Sequence, residues 1–510
     1  MQHYILSILV LSPIILSVPI LFFKDEKAKL IKTYSLIISS IVFIVSLYLY
    51  FNFDSNSGNF QFMERYKWVS DFEIFYLLGV DGISLLLVML TTFIFPLTIL
   101  AIWNSITQRI KVFYFLFLIL EGGLLGVFLS LDMILFYIFW EIILIPMYFL
   151  IGMWGGKNKY YATVKFFIYT MFGSLLMLVA IIWAATYTTS GIGHFTTEYL
   201  EMQKITPYIP YNVQFWLFIF FGLSFAIKVP IFPFHTWLPD AHTEAPTAGS
   251  VILAAVLLKM GTYGLLRFSI SLFPIIYLKY TGLLAILGVI GIVYGALLCI
   301  AQKDMKKLVA YSSVSHMGFI VLGLAALTVE SLQGSLIQMV NHGLSTGALF
   351  LFVGFLYDRR HTREISDFGG LIKIIPIYGS MLLIVSLSSI GLPGLNGFIG
   401  EFMILTGSFF SISLNNNIYA IIATSGVVLS AVYLLWMYQR VMLGPLDKDE
   451  NKTVTDLNKR EIISVIPILF FIVWIGVQPN TFLKKSEPSV KKVVEYIETV
   501  KKNIFTFPQK

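Results

Sequence analysis

Seven titratable side chains stand inside apolar runs of a 510-residue chain: Glu121, Glu141, Lys228, Lys259, His316, His342 and Glu401. A charge at mid-bilayer costs roughly 2.5–3.5 kcal/mol per residue even on a lenient insertion scale. For seven groups the sum is on the order of 10–20 kcal/mol before any pairing. The simplest use of such residues is as structural pairs that lock helices together. The other is a relay, because Glu, Lys and His in alternation at one depth can each hold and release a proton. Seven groups on seven different spans favour the relay, with Glu121 its weakest member. Gly122 and Gly123 beside Glu121 also suit tight packing around a neutral carboxyl.

Other chemistries are poorly supported. The single cysteine, Cys299, excludes internal disulfides, cysteine-ligated zinc and iron–sulfur ligation within the chain. The seven histidines form neither an HExxH motif nor the Glu-x-x-His pairs of di-iron bundles. His235, Asp240 and His242 cluster in "HTWLPDAH", but no third soft ligand stands at a usable spacing. They read as polar residues that follow three prolines near a membrane face, and no metal is expected.

The elements that must position these groups are membrane helices. Hydrophobic residues make up 57% of the chain and charged ones only 12%, with a mean hydropathy of +0.83. Apolar runs of about 20 residues recur from end to end, each long enough to cross about 30 Å of hydrocarbon. Because the runs are continuous rather than alternating, a β-barrel is excluded. Fourteen spans are expected, near 4–23, 33–52, 77–103, 112–130, 132–153, 161–187, 213–239, 247–270, 281–301, 307–328, 333–357, 374–410, 418–442 and 461–483. The first run lacks a basic segment before it, so it reads as a retained span rather than a signal peptide.

Twenty Lys and Arg fall in loops on one face, including Lys24, Arg109, Lys157, Lys303, Arg359 and Arg460. The opposite loops hold five: Arg65, Lys67, Lys204, Arg267 and Lys279. The positive-inside rule therefore puts both termini outside the cytoplasm. Seven lysines after span fourteen object to that topology. An amphipathic tail helix resolves the objection, with Val490, Val493, Val494, Ile497, Val500 and Ile504 along one stripe, lying on the surface or a partner. Lys165, near the start of span six, is expected to snorkel to the basic face. That leaves only Lys228 and Lys259 as cations truly inside.

Two spans are broken. Pro230, Pro233 and Pro239 interrupt span seven, and "SSIGLPGLNGFIGEF" interrupts span twelve. Freed backbone groups are tolerable only where they face protein or a wet cavity. Each break is the fourth member of a five-span block, and each has a buried charge beside it, Lys228 before one and Glu401 after the other. This pattern predicts an all-α polytopic membrane protein with about 14 transmembrane helices in two inverted five-helix repeats. Expected boundaries are 1–111 for spans one to three, 112–272 and 273–445 for the two repeats, and 446–510 for span fourteen and the tail.

"FYIFWEIILIPMYFLIGMWG" (136–155), "KVPIFPFHTWLPDAHTEAPTAGSVILAAVLLKMGTYGLLR" (228–267), "YSSVSHMGF" (311–319), "NHGLSTGALF" (341–350) and "GLPGLNGFIGEFMIL" (391–405) resemble the antiporter-like membrane subunits of respiratory complex I. "GVDGISLLLVMLTT" (79–92) fits as well. The glutamate of "GEF" is similar to the M-type (subunit 4-like) member, whereas L- and N-type members carry lysine there. The resemblance implies that Glu141 partners Lys228 and that Lys259 is the central lysine. It further implies that His316 and His342 extend the axis to Glu401, the group nearest the outer exit, and that Glu121 is an additional glutamate of span four. It implies proton translocation without a redox centre in this chain. FMN, iron–sulfur clusters and quinone then belong to partner subunits, among them L-type and N-type neighbours in a bacterial inner membrane. A subunit of a multisubunit cation/proton antiporter shares most of these residues, and a structural membrane anchor of an oxidoreductase is the third reading.

Overall fold

The computed structural model describes residues 4–506, and the side chains of all of these but Asp25, Asp71 and 503–506. Among the described residues, thirteen helices are long and apolar enough to cross a membrane. They are α1 (Ile5–Phe22), α2 (Ala28–Asn52), α3 (Gly82–Ala101), α4 (Ile110–Leu129), α5 (Met133–Trp154), α6 (Lys159–Ile192) and α7 (Tyr211–Lys228). After the short α8 (Trp237–Glu244) come α9 (Thr247–Leu272), α10 (Pro274–Ile300), α11 (Met305–Ala326) and α12 (Val329–Arg360). The half-helices α13 (Pro376–Ile390) and α14 (Asn396–Phe409) together make the broken twelfth span. α15 (Ile418–Met442) and α16 (Lys459–Val477) follow, so the fourteen-span expectation is met once the two halves are joined.

Both breaks lie where the prolines and glycines put them. α7 ends on Lys228, and α8 resumes at Trp237. α13 ends at Ile390, where Gly391 and Gly394 take left-handed backbone with φ of +84° and +91°. The interior of the bundle is made by α9, α11 and α12, which are almost wholly buried, while α6, α10 and α15 keep long apolar faces outward. That outward greasiness is what lipid or a neighbouring membrane subunit requires. In α9 the α ladder widens to π turns at Leu253–Leu257 and Leu265–Ser269, on either side of the segment that carries Lys259. Such turns rearrange backbone carbonyls and are frequent where a helix serves a site.

Three expectations are corrected. Span three begins at Gly82 rather than 77, because Gln61–Val69 (β1) and Ile74–Val80 (β2) form an antiparallel hairpin. The run "IFYLLGV" is apolar enough to look like the start of a helix, yet its aromatic and β-branched residues pair across the hairpin, Tyr76 opposite Tyr66. Arg267 is not a loop cation. It lies in α9 with its side chain 4% exposed, in a 2.5 Å ion pair with Asp81. Lys306 is likewise buried within the first turn of α11, where its ammonium donates to the carbonyl of Ala245. Lys228 and Lys259 are therefore not alone among interior cations. Lys165, in the second turn of α6, pairs with Asp240 at 2.7 Å.

The tail is α17 (Asn480–Thr506). Val490 and Ile497 are buried, and Val493, Val494 and Val500 are half-buried; the side chain of Ile504 lies outside the described residues. The helix is held by Ser489, whose hydroxyl accepts from Gly82 N at 3.0 Å, and by Lys485, which donates to the carbonyls of Tyr50 and Phe53. Tyr496 donates to the carbonyl of Gln203. These partners belong to loops and helix ends on the less basic face, so the tail lies along that face with its stripe against protein.

Candidate proton-transfer site

The first pair of groups sits at the first break. Lys228 closes α7 with its side chain buried, and its ammonium lies 5.3 Å from the Trp140 ring centroid and 5.6 Å from that of Phe166. Aromatic faces attract a cation through their quadrupole, so this box can hold the ammonium without an anion in contact. Glu141 is close enough to act on Lys228 electrostatically, yet no hydrogen bond or ion pair joins them among the described residues. Its Oε1 is buried without a hydrogen-bond partner, and its carboxylate stands within electrostatic reach of the Tyr137 hydroxyl, one turn earlier on α5. The expected Glu141–Lys228 pair is thus a near neighbour pair standing open.

The second set is closely spaced. Lys259, fully buried in α9, donates to the carbonyl of Ala254 in the π turn and stands 2.5 Å from His342 Nδ1 on α12. The rings of His342 and His316 are neighbours, with centroids 5.6 Å apart and planes tilted by 56°. His316 Nδ1 is 3.1 Å from Glu401 Oε1, and its Nε2 is 3.1 Å from the hydroxyl of Ser389. With Nδ1–H donated to the carboxylate, Nε2 is the acceptor of the serine proton. Gln338 also donates to Glu401 Oε1 at 3.2 Å. Lys259, His342, His316 and Glu401 therefore meet across α9, α12, α11 and α14.

Between the two sets the backbones touch and the side chains do not. A Cβ on Gly261 would stand 2.9 Å from Val229 N, so α9 just past Lys259 packs on the chain just past Lys228. No side-chain hydrogen bond spans the two lysines among the described residues. Glu121 lies elsewhere. It is fully buried in α4 and accepts from Ser39 of α2 at 2.7 Å, making no hydrogen bond to the other six.

Several groups in or beside this arrangement escaped sequence reasoning. Ser389 and Gln338 are neutral polar residues, which carry no cost large enough to flag them, although Gln338 stands one helical turn before His342. His242 was visible only as a weak metal candidate. It is fully buried, stacks on Phe350 at 4.6 Å, and is close enough to Lys259, His342 and Lys306 to interact electrostatically with all three. Among the described residues no group of three or more His, Cys, Asp or Glu is arranged to hold a metal ion.

Comparison with known proteins places this geometry in a lineage. A family model described as the transmembrane region of NADH:quinone oxidoreductase and Mrp antiporters matches residues 130–430. NADH-quinone oxidoreductase subunit M of Rhodobacter capsulatus is 45% identical, over 92% of this chain and 91% of its own. The chain belongs to the M-type antiporter-like subunits of NADH:quinone oxidoreductase. NADH-ubiquinone oxidoreductase chain 4 of Arabidopsis thaliana is 43% identical over 97% of this chain and 98% of its own. A chain of respiratory complex I from Thermus thermophilus with bound NADH superposes with a TM-score of 0.87 at 29% identity, covering 96% of this chain and 99% of that one. A chain of the Mrp complex from Dietzia sp. DQ12-45-1b shares the fold, with a TM-score of 0.82 over 98% and 99% of the two chains, but only 16% identity.

In this M-type chain the second break is fitted to Glu401. Gly391 combines φ of +84° with a Cβ position only 2.9 Å from Glu401 Oε2. Gly391→Ala is expected to cost about 1–2 kcal/mol through its left-handed backbone alone. It should also push the carboxylate off His316. A lower melting temperature of the detergent-solubilised subunit, together with slower proton pumping by the assembled complex, is the expected result.

Proposed function

We propose that this chain is a proton-translocating membrane-arm subunit of NADH:quinone oxidoreductase, driven by electron transfer in other subunits. In the cycle, Glu141 supports the ammonium of Lys228 when the two close. Parting them withdraws that support and drives the lysine proton toward Lys259. The proton then passes by His342 and His316 to Glu401, which releases it outward. Glu121 serves as an additional carboxyl on the α2 side. The observation that carries the reading is the close Lys259–His342–His316–Glu401 succession, with Lys259 2.5 Å from His342, the two histidine rings 5.6 Å apart, and His316 3.1 Å from Glu401.

The proposal extends to the setting. The repeats span 112–272 and 273–445, with 1–111 and 446–510 as flanking elements. L-type and N-type antiporter-like subunits are the neighbours, and FMN, iron–sulfur clusters and quinone reside in other partner subunits. The complex sits in a bacterial cytoplasmic membrane, in keeping with the NADH-quinone oxidoreductase subunit M proteins of Rhodobacter and Rickettsia.

Glu401→Gln tests the reading. It keeps the amide-sized group beside Gln338 and His316 but cannot carry charge. In proteoliposomes the variant complex is expected to acidify the lumen about ten-fold more slowly per NADH oxidised. Unchanged acidification would defeat the assignment. Sodium uptake in place of proton movement would favour an antiporter of the Mrp kind.

A further inference from the structure

Three helix ends meet around a cavity on the face that carries most of the loop Lys and Arg. α5 closes there at Trp154, and α4 and α6 open at Ile110 and Lys159. The cavity holds about 430 Å³, and its wall includes Arg109, Tyr148, Gly152, Lys159 and Thr163. No Asp or Glu among the described residues lines it. Glu244 approaches the same loop, but its carboxylate accepts from Asn158 N at 2.9 Å and stays out of the wall. Both helices that start here lack a side-chain cap and an acid in the first turn, so their positive dipole ends are unbalanced. Arg109 makes no side-chain hydrogen bond or ion pair among the described residues. It also holds φ of +49°, left-handed backbone that a residue with a side chain rarely takes. Lys159 donates one hydrogen to the carbonyl of Met153 at 3.0 Å and has two more to give. The Thr163 hydroxyl is buried without a protein partner. Gly152 leaves the space beside it open, since a Cβ there would stand 3.6 Å from Thr163 Oγ1.

We propose that this cavity binds the headgroup of an anionic phospholipid, its phosphate held between Arg109 and Lys159 in the field of the two helix N-termini. The site stands apart from the proton route and does not depend on it. Two cations, two uncapped helix starts and no carboxylate call for a negative ligand. A guanidinium meets phosphate oxygens two at a time, and an ammonium adds a point charge. Two features call for a lipid rather than a free phosphate ion. The volume leaves room for the glycerol and ester groups next to the phosphate. From the cavity toward mid-membrane, Ile145 and Phe149 of α5 and Val164, Ile168 and Phe172 of α6 are all exposed. Spacings of four keep them on one side of each helix, so they offer a path for acyl chains directly below the charged cavity. A zwitterionic headgroup would bring its own ammonium to a wall that has only cations, which selects against it. A bound lipid would brace the ends of α4, α5 and α6 on the basic face, at the foot of the helix that carries Glu141.

The test is thermal unfolding of the full chain in detergent, titrated with phosphatidylglycerol, phosphatidylcholine or inorganic phosphate. Phosphatidylglycerol is expected to raise the wild-type melting temperature to a plateau, and the other two to do so weakly or not at all. Arg109→Gly should melt close to wild type without lipid, because glycine takes the left-handed φ freely and no side-chain contact is lost. Its midpoint for phosphatidylglycerol should be about ten-fold higher, as for loss of one charged hydrogen bond. Lys159→Gln should shift the midpoint in the same direction. Wild-type midpoints in both variants would overturn the site, as would phosphatidylcholine acting as well as phosphatidylglycerol. Equal stabilisation by inorganic phosphate would reduce it to a phosphate site and overturn the lipid. If a variant does not fold, a map of the wild-type complex reconstituted with phosphatidylglycerol decides. A headgroup within hydrogen-bond reach of Arg109, with chains along α5 and α6, supports the site. An empty cavity, or one filled by a neighbouring subunit's chain, overturns it.

Discussion

Lys259→Ala is expected to cut proton pumping by the assembled complex about ten-fold or more, while NADH oxidation in detergent keeps most of its rate. Lys259 is fully buried, and its ammonium has two hydrogen-bonding partners, the carbonyl of Ala254 and His342 Nδ1. Alanine leaves His342 with no proton donor on the α9 side. His242 is near enough to feel the charge of Lys259 but makes no hydrogen bond to it, so it is not placed to substitute. The loss should therefore appear in the protons moved per electron rather than in assembly. The measurement is lumen acidification per NADH oxidised in proteoliposomes, beside the NADH oxidation rate of the same preparation in detergent. A wild-type ratio for this variant would mean that the buried lysine is a structural rivet.

The seven titratable residues could be read from sequence because hydrocarbon makes each of them expensive. The breaks were legible for a related reason, since prolines and glycines inside an apolar run leave backbone groups that must be satisfied. Residues 61–80 were not legible in the same way. "IFYLLGV" lies directly before α3, so hydropathy merges the two, and only pairing with β1 separates them. Nor does composition reveal a π turn, although the one at Leu253–Leu257 supplies the carbonyl that Lys259 meets. Most of all, sequence could nominate Lys259, His342, His316 and Glu401 without saying that they touch while Glu141 and Lys228 stand apart. Contact across α9, α12, α11 and α14 is a property of packing. Gln338 and Ser389 were invisible because neutral polar residues are tolerated in membrane helices.

Arg267 carries the largest stability effect expected here. Its guanidinium meets Asp81 at 2.5 Å, stacks 4.9 Å from the Phe60 ring centroid, and lies beside Tyr263, whose hydroxyl accepts from Nε at 3.4 Å. Asp81 in turn caps α3, accepting from Ile83 N at 3.2 Å and Ser84 N at 3.0 Å. One cation thus ties α9 to the start of α3 and to the loop that precedes the hairpin. Arg267→Met removes the partner and leaves a carboxylate only 4% exposed, a change that typically costs about 3–5 kcal/mol. Asp81→Asn in the same chain removes that stranded charge while keeping an oxygen to cap α3, so the double variant should recover a large part of the loss. Thermal unfolding of the detergent-solubilised subunit checks both, with the single variant melting well below wild type and the double between them. Equal melting of Arg267→Met and wild type would show that the pair contributes nothing. A double variant no better than the single would show that Arg267 acts through its stacking on Phe60 and Tyr263 rather than through Asp81.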